Sequence, residues 1–367
     1  MNKRQPLAGK TVLVAMSGGV DSSVAAALLK KQGANVIGIT LSVWPEDSMA
    51  CARSCCSVTD VDDARAVCSV LQIPHYVLDM QDAFQHEVID YFTSEYLRGR
   101  TPNPCIACNE HIKFAAMFRK ADELRADYIA TGHYAHVMHR PEGFRLTRAV
   151  DTHKDQTYVL YMFGQKELQR ILFPCADYEK PQIRALAKEF GLPTFQKPDS
   201  QDLCFIGQQG YAAFLRENCA GLTRPGEIIN EAGKVIGHHE GVYLFTVGQH
   251  KGLGAFSEEK LYVTAIDAEH AIVHVGKSDA LFSTGALLEN LSETFDNALC
   301  DGTSIEVKIR YSAPAVPALF THTKEGPAVV FNRPQRAVTP GQAAVFYQND
   351  TVLGGGTIQK ALKKRPL

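Results

Sequence analysis

The run Ser17-Gly18-Gly19-Val20-Asp21-Ser22-Ser23 comes directly off the apolar stretch Thr11 to Met16. It predicts a strand, a short polar loop and a helix over Val24 to Lys31. Two glycines permit φ > 0 and leave no Cβ in the way of an anion, and the hydroxyls of Ser17, Ser22 and Ser23 stand beside the first helical amides. Such a loop suits phosphate. The Lys-Ser/Thr pair that closes a Walker A loop is missing, and an acid, Asp21, stands inside the loop instead. A carboxylate repels phosphate unless a cation bridges them. The loop therefore predicts Mg²⁺ and a nucleotide whose α/β bond, not its γ-phosphate, lies in it.

A second chemical feature is the pair Cys105 and Cys108, three residues apart behind Pro102 and Pro104. The prolines keep the chain out of a helix until Cys105, so both thiols fall near a helix start, where partial positive charge favours the thiolate that a nucleophile or metal ligand requires. Cys204 lies far away in Lys197-Pro198-Asp199-Ser200-Gln201-Asp202-Leu203-Cys204-Phe205-Ile206-Gly207, a loop able to fold back over the first site. Cys51, Cys55, Cys56, Cys68, Cys175, Cys219 and Cys300 are read as structural.

The elements that must position these groups follow from periodicity. Strands are expected at Thr11 to Met16, Asn35 to Val43, His75 to Met80 and Tyr128 to His133, alternating with helices. One helix is capped by Ser57 with Asp60 three residues on, and another runs near Ala83 to Leu97 with Phe84, Val88 and Phe92 on one side. This is a doubly wound α/β pattern with a parallel sheet, whose ligands sit beyond the carboxyl ends of the strands. Helices are expected to continue from residue 135 to about 205, including Gln182 to Phe190. A Gly-rich strand-forming region follows through Lys277. The tail is all-β, a small barrel or sandwich in which Ile305, Val307, Ile309 and Tyr311 alternate with polar residues. The expected domains are residues 1–206, 207–277 and 278–367.

With 367 residues and 45% hydrophobic content, the chain can bury several cores. Its first apolar run breaks at Ser17, too short for a signal peptide or a membrane span, so a cytoplasmic protein with no membrane partner is expected. Ten cysteines in that setting argue against a disulfide framework. A net charge of −2 leaves any nucleic-acid contact to local patches.

The string Ser17 to Ser23 resembles the PP-loop of ATP pyrophosphatases, which cleave ATP to AMP and pyrophosphate to adenylate a substrate oxygen. Further motifs follow in chain order: Thr101-Pro102-Asn103-Pro104-Cys105-Ile106-Ala107-Cys108-Asn109, Ala130-Thr131-Gly132-His133-Tyr134, Lys154-Asp155-Gln156, Asp202 to Gly207, Thr246 to Gly254 and Thr339 to Tyr347. Together they resemble the tRNA-specific 2-thiouridylases over nearly the whole chain.

The resemblance implies an adenine nucleotide α-hydrolase-like domain followed by a small β-rich domain and a β-barrel. It implies ATP-dependent transfer of sulfur to the wobble uridine in the anticodon loop of tRNA, with Mg²⁺, and a partner protein, a cysteine desulfurase or relay, as sulfur donor. By matching positions, Ala15, Met16, Ser17, Gly18, Gly19, Val20, Asp21, Ser22 and Gly132 line the ATP site, with Leu41 against the adenine. Cys204 carries a persulfide and Cys108 acts on it, releasing sulfide or forming a Cys108–Cys204 disulfide. Asn103, Pro104, Cys105, His133, Lys154, Asp155, Gln156, Arg310, Tyr311 and Gln342 face tRNA, while Tyr311 and Lys154 have core and surface readings of their own. Cys105 stands where the family more often has Asp, and His250 where it often has Arg. An alternative use of Cys105, Cys108 and Cys204 is to hold an iron–sulfur cluster with one open iron. The competing functions are a PP-loop ligase or amidotransferase acting on a small molecule, which Cys204→Ser would leave active, and a non-catalytic adenine-nucleotide-binding module.

Overall fold

The structure is a computed structural model that describes residues 7–44, 58–199, 203–206, 210–219, 221–222, 224–253 and 260–364. Cys51, Cys55, Cys56, Ser57, Gln201, Asp202 and Gly207 lie outside the described residues. Two compact units emerge. One comprises residues 1–88, 105–208 and 350–352; the other comprises 89–104, 209–349 and 353–367. Residues 89–104 fall in the second unit by their contacts.

In the first unit, β1 (Thr11–Ala15), β2 (Asn35–Ser42), β3 (His75–Asp79), β4 (Tyr128–Ala130) and β7 (Ile171–Leu172) form one parallel sheet in the order β3-β2-β1-β4-β7. Val12, Leu13 and Val14 have no exposed surface, the unbroken apolar run expected of a strand covered on both faces. β1 has β2 on one side and β4 on the other, so the chain leaves it at the point where strand order reverses, a ready crevice for a ligand. From there α1 (Val20–Lys31) packs its apolar side against the sheet together with α2 (Val58–Val70) and α8 (Lys180–Glu189).

The helix expected over Ala83 to Leu97 is present in three pieces: α3 (Gln81–Phe84), a π-helical turn (Gln85–Asp90) and α4 (Tyr91–Leu97). Phe84, Val88 and Phe92 are all buried, as their spacing predicts. The stretch after β4 departs from expectation. Instead of continuing helically, it forms a hairpin of β5 (His136–Arg140) and β6 (Gly143–Thr147). Five-residue strands carrying His, Arg and Thr offer too little apolar alternation to read as strands.

In the second unit, β8 (Gly226–Ile229), β9 (Val235–His239), β10 (Tyr262–Asp267) and β11 (Ile272–Gly276) form a four-stranded sheet over Ile228, Phe245, Val263, Val273 and Val275. The remaining strands are β12 (Phe282–Glu293), β13 (Ser304–Lys308), β14 (Val316–Thr323), β15 (Gly326–Arg336), β16 (Ala343–Gln348) and β17 (Thr351–Leu362). They pair in the order β12-β15-β14-β13-β16-β17, and β17 returns to β12, closing a six-stranded barrel without free edges. Ile305, Val307 and Ile309 point into it. Tyr311 does not continue the alternation. β13 ends at Lys308, and Tyr311 is 44% exposed with the Lys308 ammonium 5.6 Å from its ring centre.

Candidate active site

Gly19 caps α1 in an extended conformation with no side chain bonded to the helix start, so the first-turn amides face the loop unspent. The hydroxyls mostly brace the loop. Ser22 Oγ donates to Gly19 O (3.2 Å) and accepts from Ser17 N–H (3.3 Å), while Ser23, fully buried, donates to the same carbonyl at 2.7 Å. Ser17 alone of the three is exposed. Gly18 has φ +67°, and a Cβ there would lie 2.3 Å from Asp60 O; a Cβ on Gly132 would lie 2.6 Å from Ser22 N. Both glycines are therefore required, and Gly132 is brought against the loop as expected. Met16 N–H donates to Ile39 O at 2.7 Å, and Thr40 Oγ1 to Met16 O at 2.8 Å, which fixes the end of β2 and its buried Leu41 beside the loop.

Asp21 is where the sequence reading needs correcting. The cation beside it is a side chain: Lys180 Nζ, at the start of α8, lies 2.7 Å from both carboxylate oxygens, and Tyr134 Oη donates to Oδ1 at 2.7 Å. The charge conflict that called for Mg²⁺ is already met by Lys180. One carboxylate at a phosphate-sized loop nevertheless suits Mg²⁺, which takes few protein ligands when phosphates supply the rest. Burial, then the Asp21 charge, pushes the Tyr134 phenol up, so it stays a donor. The Cys175 thiol, wholly buried, is also pushed up by burial and donates to Asp21 O at 3.3 Å.

Lys180 continues to Asp199 at 2.9 Å, and Asp199 also takes Lys154 (2.8 Å) and Arg184 (2.8 Å). Burial works against the Asp199 carboxylate, but the hydrogen bonds from Lys154 and Lys180 and their charges outweigh it and bring it down to about 2. Two residues earlier Lys197 pairs with Asp60 and Asp63 of α2. The base of the segment that leads to Cys204 is thus held ionically at two places.

The expected tRNA-facing residues divide. His133 is half-buried, with Nδ1 2.8 Å from Thr131 Oγ1 and its ring between Phe114 and Phe173, at centroid distances of 5.9 and 6.2 Å. Gln156 Oε1 accepts from Tyr134 N–H at 3.0 Å. Lys154 is committed to Asp199. Asp155 is buried and accepts from Thr157 Oγ1 (2.7 Å) and Ala149 N–H (3.4 Å), so it shapes its own turn rather than presenting to solvent.

In the second unit, Arg310 donates to Arg336 O at 3.1 Å and Tyr311 is exposed. Gln342 is turned inward: Nε2 donates to Thr101 O (2.8 Å) and Pro102 O (3.3 Å), while Thr101 N–H donates to Pro340 O (2.8 Å). The residues just before Asn103 and Pro104 are therefore gripped by the backbone and amide of 340–342. Gly341 has φ +90°, and a Cβ there would lie 2.9 Å from Thr101 N. Gly341→Ala is expected to cost about 2 to 4 kcal/mol through strain and overpacking, seen as a lower urea midpoint; an unchanged midpoint would refute this account of the contact.

Pro104 opens α5 (Pro104–Ala107) and a π-helical turn (Cys108–Phe114) follows, so both thiols do lie at a helix start. Cys105 is exposed; Cys108 and Cys204 are half-buried. The turn Cys108–Phe114 touches α3, and Phe84 of α3 meets the ring of Phe205 edge-on at 6.2 Å. Cys108 and Cys204 therefore belong to segments that pack on one short helix. The iron–sulfur alternative finds no support: among the described residues no group of three His, Cys, Asp or Glu is placed to hold a metal ion.

Sequence reasoning missed Lys180, Asp199, Arg184 and the brace from Tyr134. The available signals were Lys180-Pro181 opening a helix and Asp199 within an otherwise apolar-poor loop, but ion pairs across 159 residues have no local signature.

Comparison with known proteins bears on the whole chain. Residues 10–208 match the tRNA methyl transferase HUP domain, 213–277 the tRNA methyl transferase PRC-barrel domain and 291–358 the aminomethyltransferase beta-barrel domain. The tRNA-specific 2-thiouridylase MnmA of Desulforamulus reducens is 47% identical over 97% of this chain and 99% of its own length. That of Pelotomaculum thermopropionicum is 48% identical over 95% and 97%. Among solved structures, a 4-thiouridine synthetase–RNA complex with bound ATP aligns with 53% of this chain and 45% of its own (TM-score 0.33, 19% identity). The NMN synthetase of Francisella tularensis aligns with 52% and 66% (TM-score 0.31, 18% identity). The full-length relatives and the three matched segments in this order are decisive: the chain belongs to the tRNA-specific 2-thiouridylase family.

Proposed function

We propose that the protein uses ATP to replace the 2-oxygen of the wobble uridine of tRNA with sulfur. A uracil carbonyl oxygen is a poor leaving group. Transfer of AMP from ATP onto that oxygen, with pyrophosphate departing, makes it a good one. The loop Ser17 to Ser23 would hold the phosphates on the α1 amides, with Lys180 offsetting the charge of Asp21, and Leu41 and Gly132 would bound the nucleoside. Mg²⁺, where bound, would supply charge neutralisation at the phosphates beside Asp21.

A persulfide on Cys204 is the sulfur source in this reading, loaded by a donor protein of the cysteine desulfurase or relay type. Its terminal sulfur attacks C2, AMP leaves, and the Cys108 thiolate attacks the Cys204 sulfur. The S–S bond to the base breaks, the base keeps its sulfur, and a Cys108–Cys204 disulfide forms that an external thiol must reduce. The target base leaves the anticodon stack to reach the site, a cheap step in a single-stranded loop. The observation that carries this reading is the shared packing on α3 of the two segments that bear Cys108 and Cys204, within the unit that holds the nucleotide loop. Incubating an anticodon stem-loop with ATP and a persulfide donor should yield 2-thiouridine with AMP and pyrophosphate in equal amounts; ADP as the nucleotide product would refute it.

A further inference from the structure

We propose that Thr246 is a positioning residue for the target base, acting through Thr101; this rests on the reading of Asn103 and Pro104, which lead straight into Cys105 and Cys108, as the segment that borders that base. All the polar groups of Thr101 are engaged within the second unit. Its N–H donates to Pro340 O (2.8 Å), its carbonyl accepts from Gln342 Nε2 (2.8 Å) and its hydroxyl donates to Thr246 Oγ1 (3.1 Å). The Tyr96 phenol, pushed up to about 12 by burial and therefore protonated, hydrogen-bonds to both hydroxyls. The barrel turn 340–342 thus holds the backbone of Thr101, and the loop after Phe245 holds its side chain.

Both holders are rigid. Thr246 N–H donates to Gln249 Oε1 and Gln249 N–H returns to Thr246 O, each at 3.0 Å, which closes a tight turn. That turn is tied to β10, because Gly248 N–H donates to Val263 O (2.8 Å) and Val263 N–H to Gln249 O (2.9 Å). On the barrel side Gly341 N–H donates to Ile358 O and Ile358 N–H to Gln342 O, both at 2.8 Å, pinning the turn to β17. What Thr101 carries is stiff as well. Pro102 and Pro104 have fixed φ, and each confines the residue before it, Thr101 and Asn103, to extended backbone. Few soft dihedrals separate Thr101 from Asn103, so a displacement of the one reaches the other. The two backbone bonds to a single turn leave Thr101 free to rock about the line that joins them. The hydroxyl bond to Thr246, made to a different element, removes that freedom. A misplacement of about 1 Å at a reacting group costs up to about a hundredfold in rate, so this one bond bears on turnover rather than on affinity.

The test uses the full-length protein and an anticodon stem-loop carrying 2-aminopurine directly 3′ of the target uridine, whose fluorescence rises when the uridine leaves the stack. Thr246→Val removes the hydroxyl at nearly constant volume. It should bind the stem-loop within about twofold of wild type, give a smaller fluorescence rise and lower kcat for 2-thiouridine about tenfold or more. Thr246→Ser, which keeps the oxygen, should restore both readouts. Thr101→Val should match Thr246→Val, and the double variant should be no worse than either, as two ends of one bond require. Wild-type kcat in Thr246→Val, a loss that Ser does not restore, or additive losses in the double variant overturns the proposal. If Thr246→Val does not fold, Thr101→Val against Thr101→Ser carries the same comparison, kcat lost and restored supporting, kcat kept refuting. Asn103→Ala tests the base contact by itself: an unchanged kcat there refutes that contact, whereas a reduced one beside wild-type kcat in Thr246→Val refutes the anchor alone.

Discussion

Replacing Cys204 by Ser should reduce thiolation of an anticodon stem-loop by about 10³-fold or more while ATP is still cleaved to AMP, because a hydroxyl cannot carry a sulfane sulfur. The split between the two readouts is the informative part. The nucleotide loop draws its geometry from Ser17, Ser22, Ser23, Gly132 and Lys180. Cys108→Ser should instead accept persulfide on Cys204 and stall before sulfur is released, leaving a base–sulfur–sulfur–protein adduct detectable by mass spectrometry. A small-molecule ligase using the same loop would tolerate both changes. Retained thiolation in Cys204→Ser would end the sulfur-carrier account.

Replacing Lys180 by Met should have a smaller but still large effect on a different step. Lys180 has 11% of its side chain exposed and Asp21 32%, so the pair is only partly open to water. Removing the ammonium leaves Asp21 facing the anion site with only Tyr134 as donor, and Asp199 loses one of three cations. Stranding a partly buried charge costs about 3 kcal/mol, less than for a fully buried pair because Asp21 keeps some solvent. This corresponds to roughly a hundredfold rise in the dissociation constant for ATP, with Cys204 still able to be loaded with persulfide. Isothermal titration with α,β-methylene-ATP checks it, and wild-type affinity in the variant would mean that the ion pair plays no part in phosphate binding.

Much of the first unit was legible because its signals are local. An unbroken apolar run into two glycines reads as a buried parallel strand feeding a phosphate loop, and β1 with its fully buried Val12, Leu13 and Val14 matches that reading. Cys105 and Cys108 at a helix start follow from the proline before them. The barrel showed in the alternation of Ile305, Val307 and Ile309, until the strand ended at Lys308 and left Tyr311 outside. The charged network was not legible. Lys180 and Asp199 acquire meaning only when α8 packs beside α1, and the bond from the Gln342 amide to Thr101 O has no signal along the chain. Asp155, which the resemblance sets facing tRNA, is buried on the turn that its carboxylate braces. Tertiary partners decide the fate of polar side chains, whereas apolar periodicity is written along the chain.

Among the described residues the cysteines sort into two chemical populations. Cys68, Cys175 and Cys219 are sealed in their units, and burial holds the Cys68 thiol at about 11 and raises the other two. Cys105 and Cys300 are exposed, and Cys108 and Cys204 are half-buried. Peroxide or an electrophilic drug would consequently strike the accessible sulfurs long before the sealed ones, so oxidative injury should silence the enzyme while its tertiary structure survives, and a reductant should recover it.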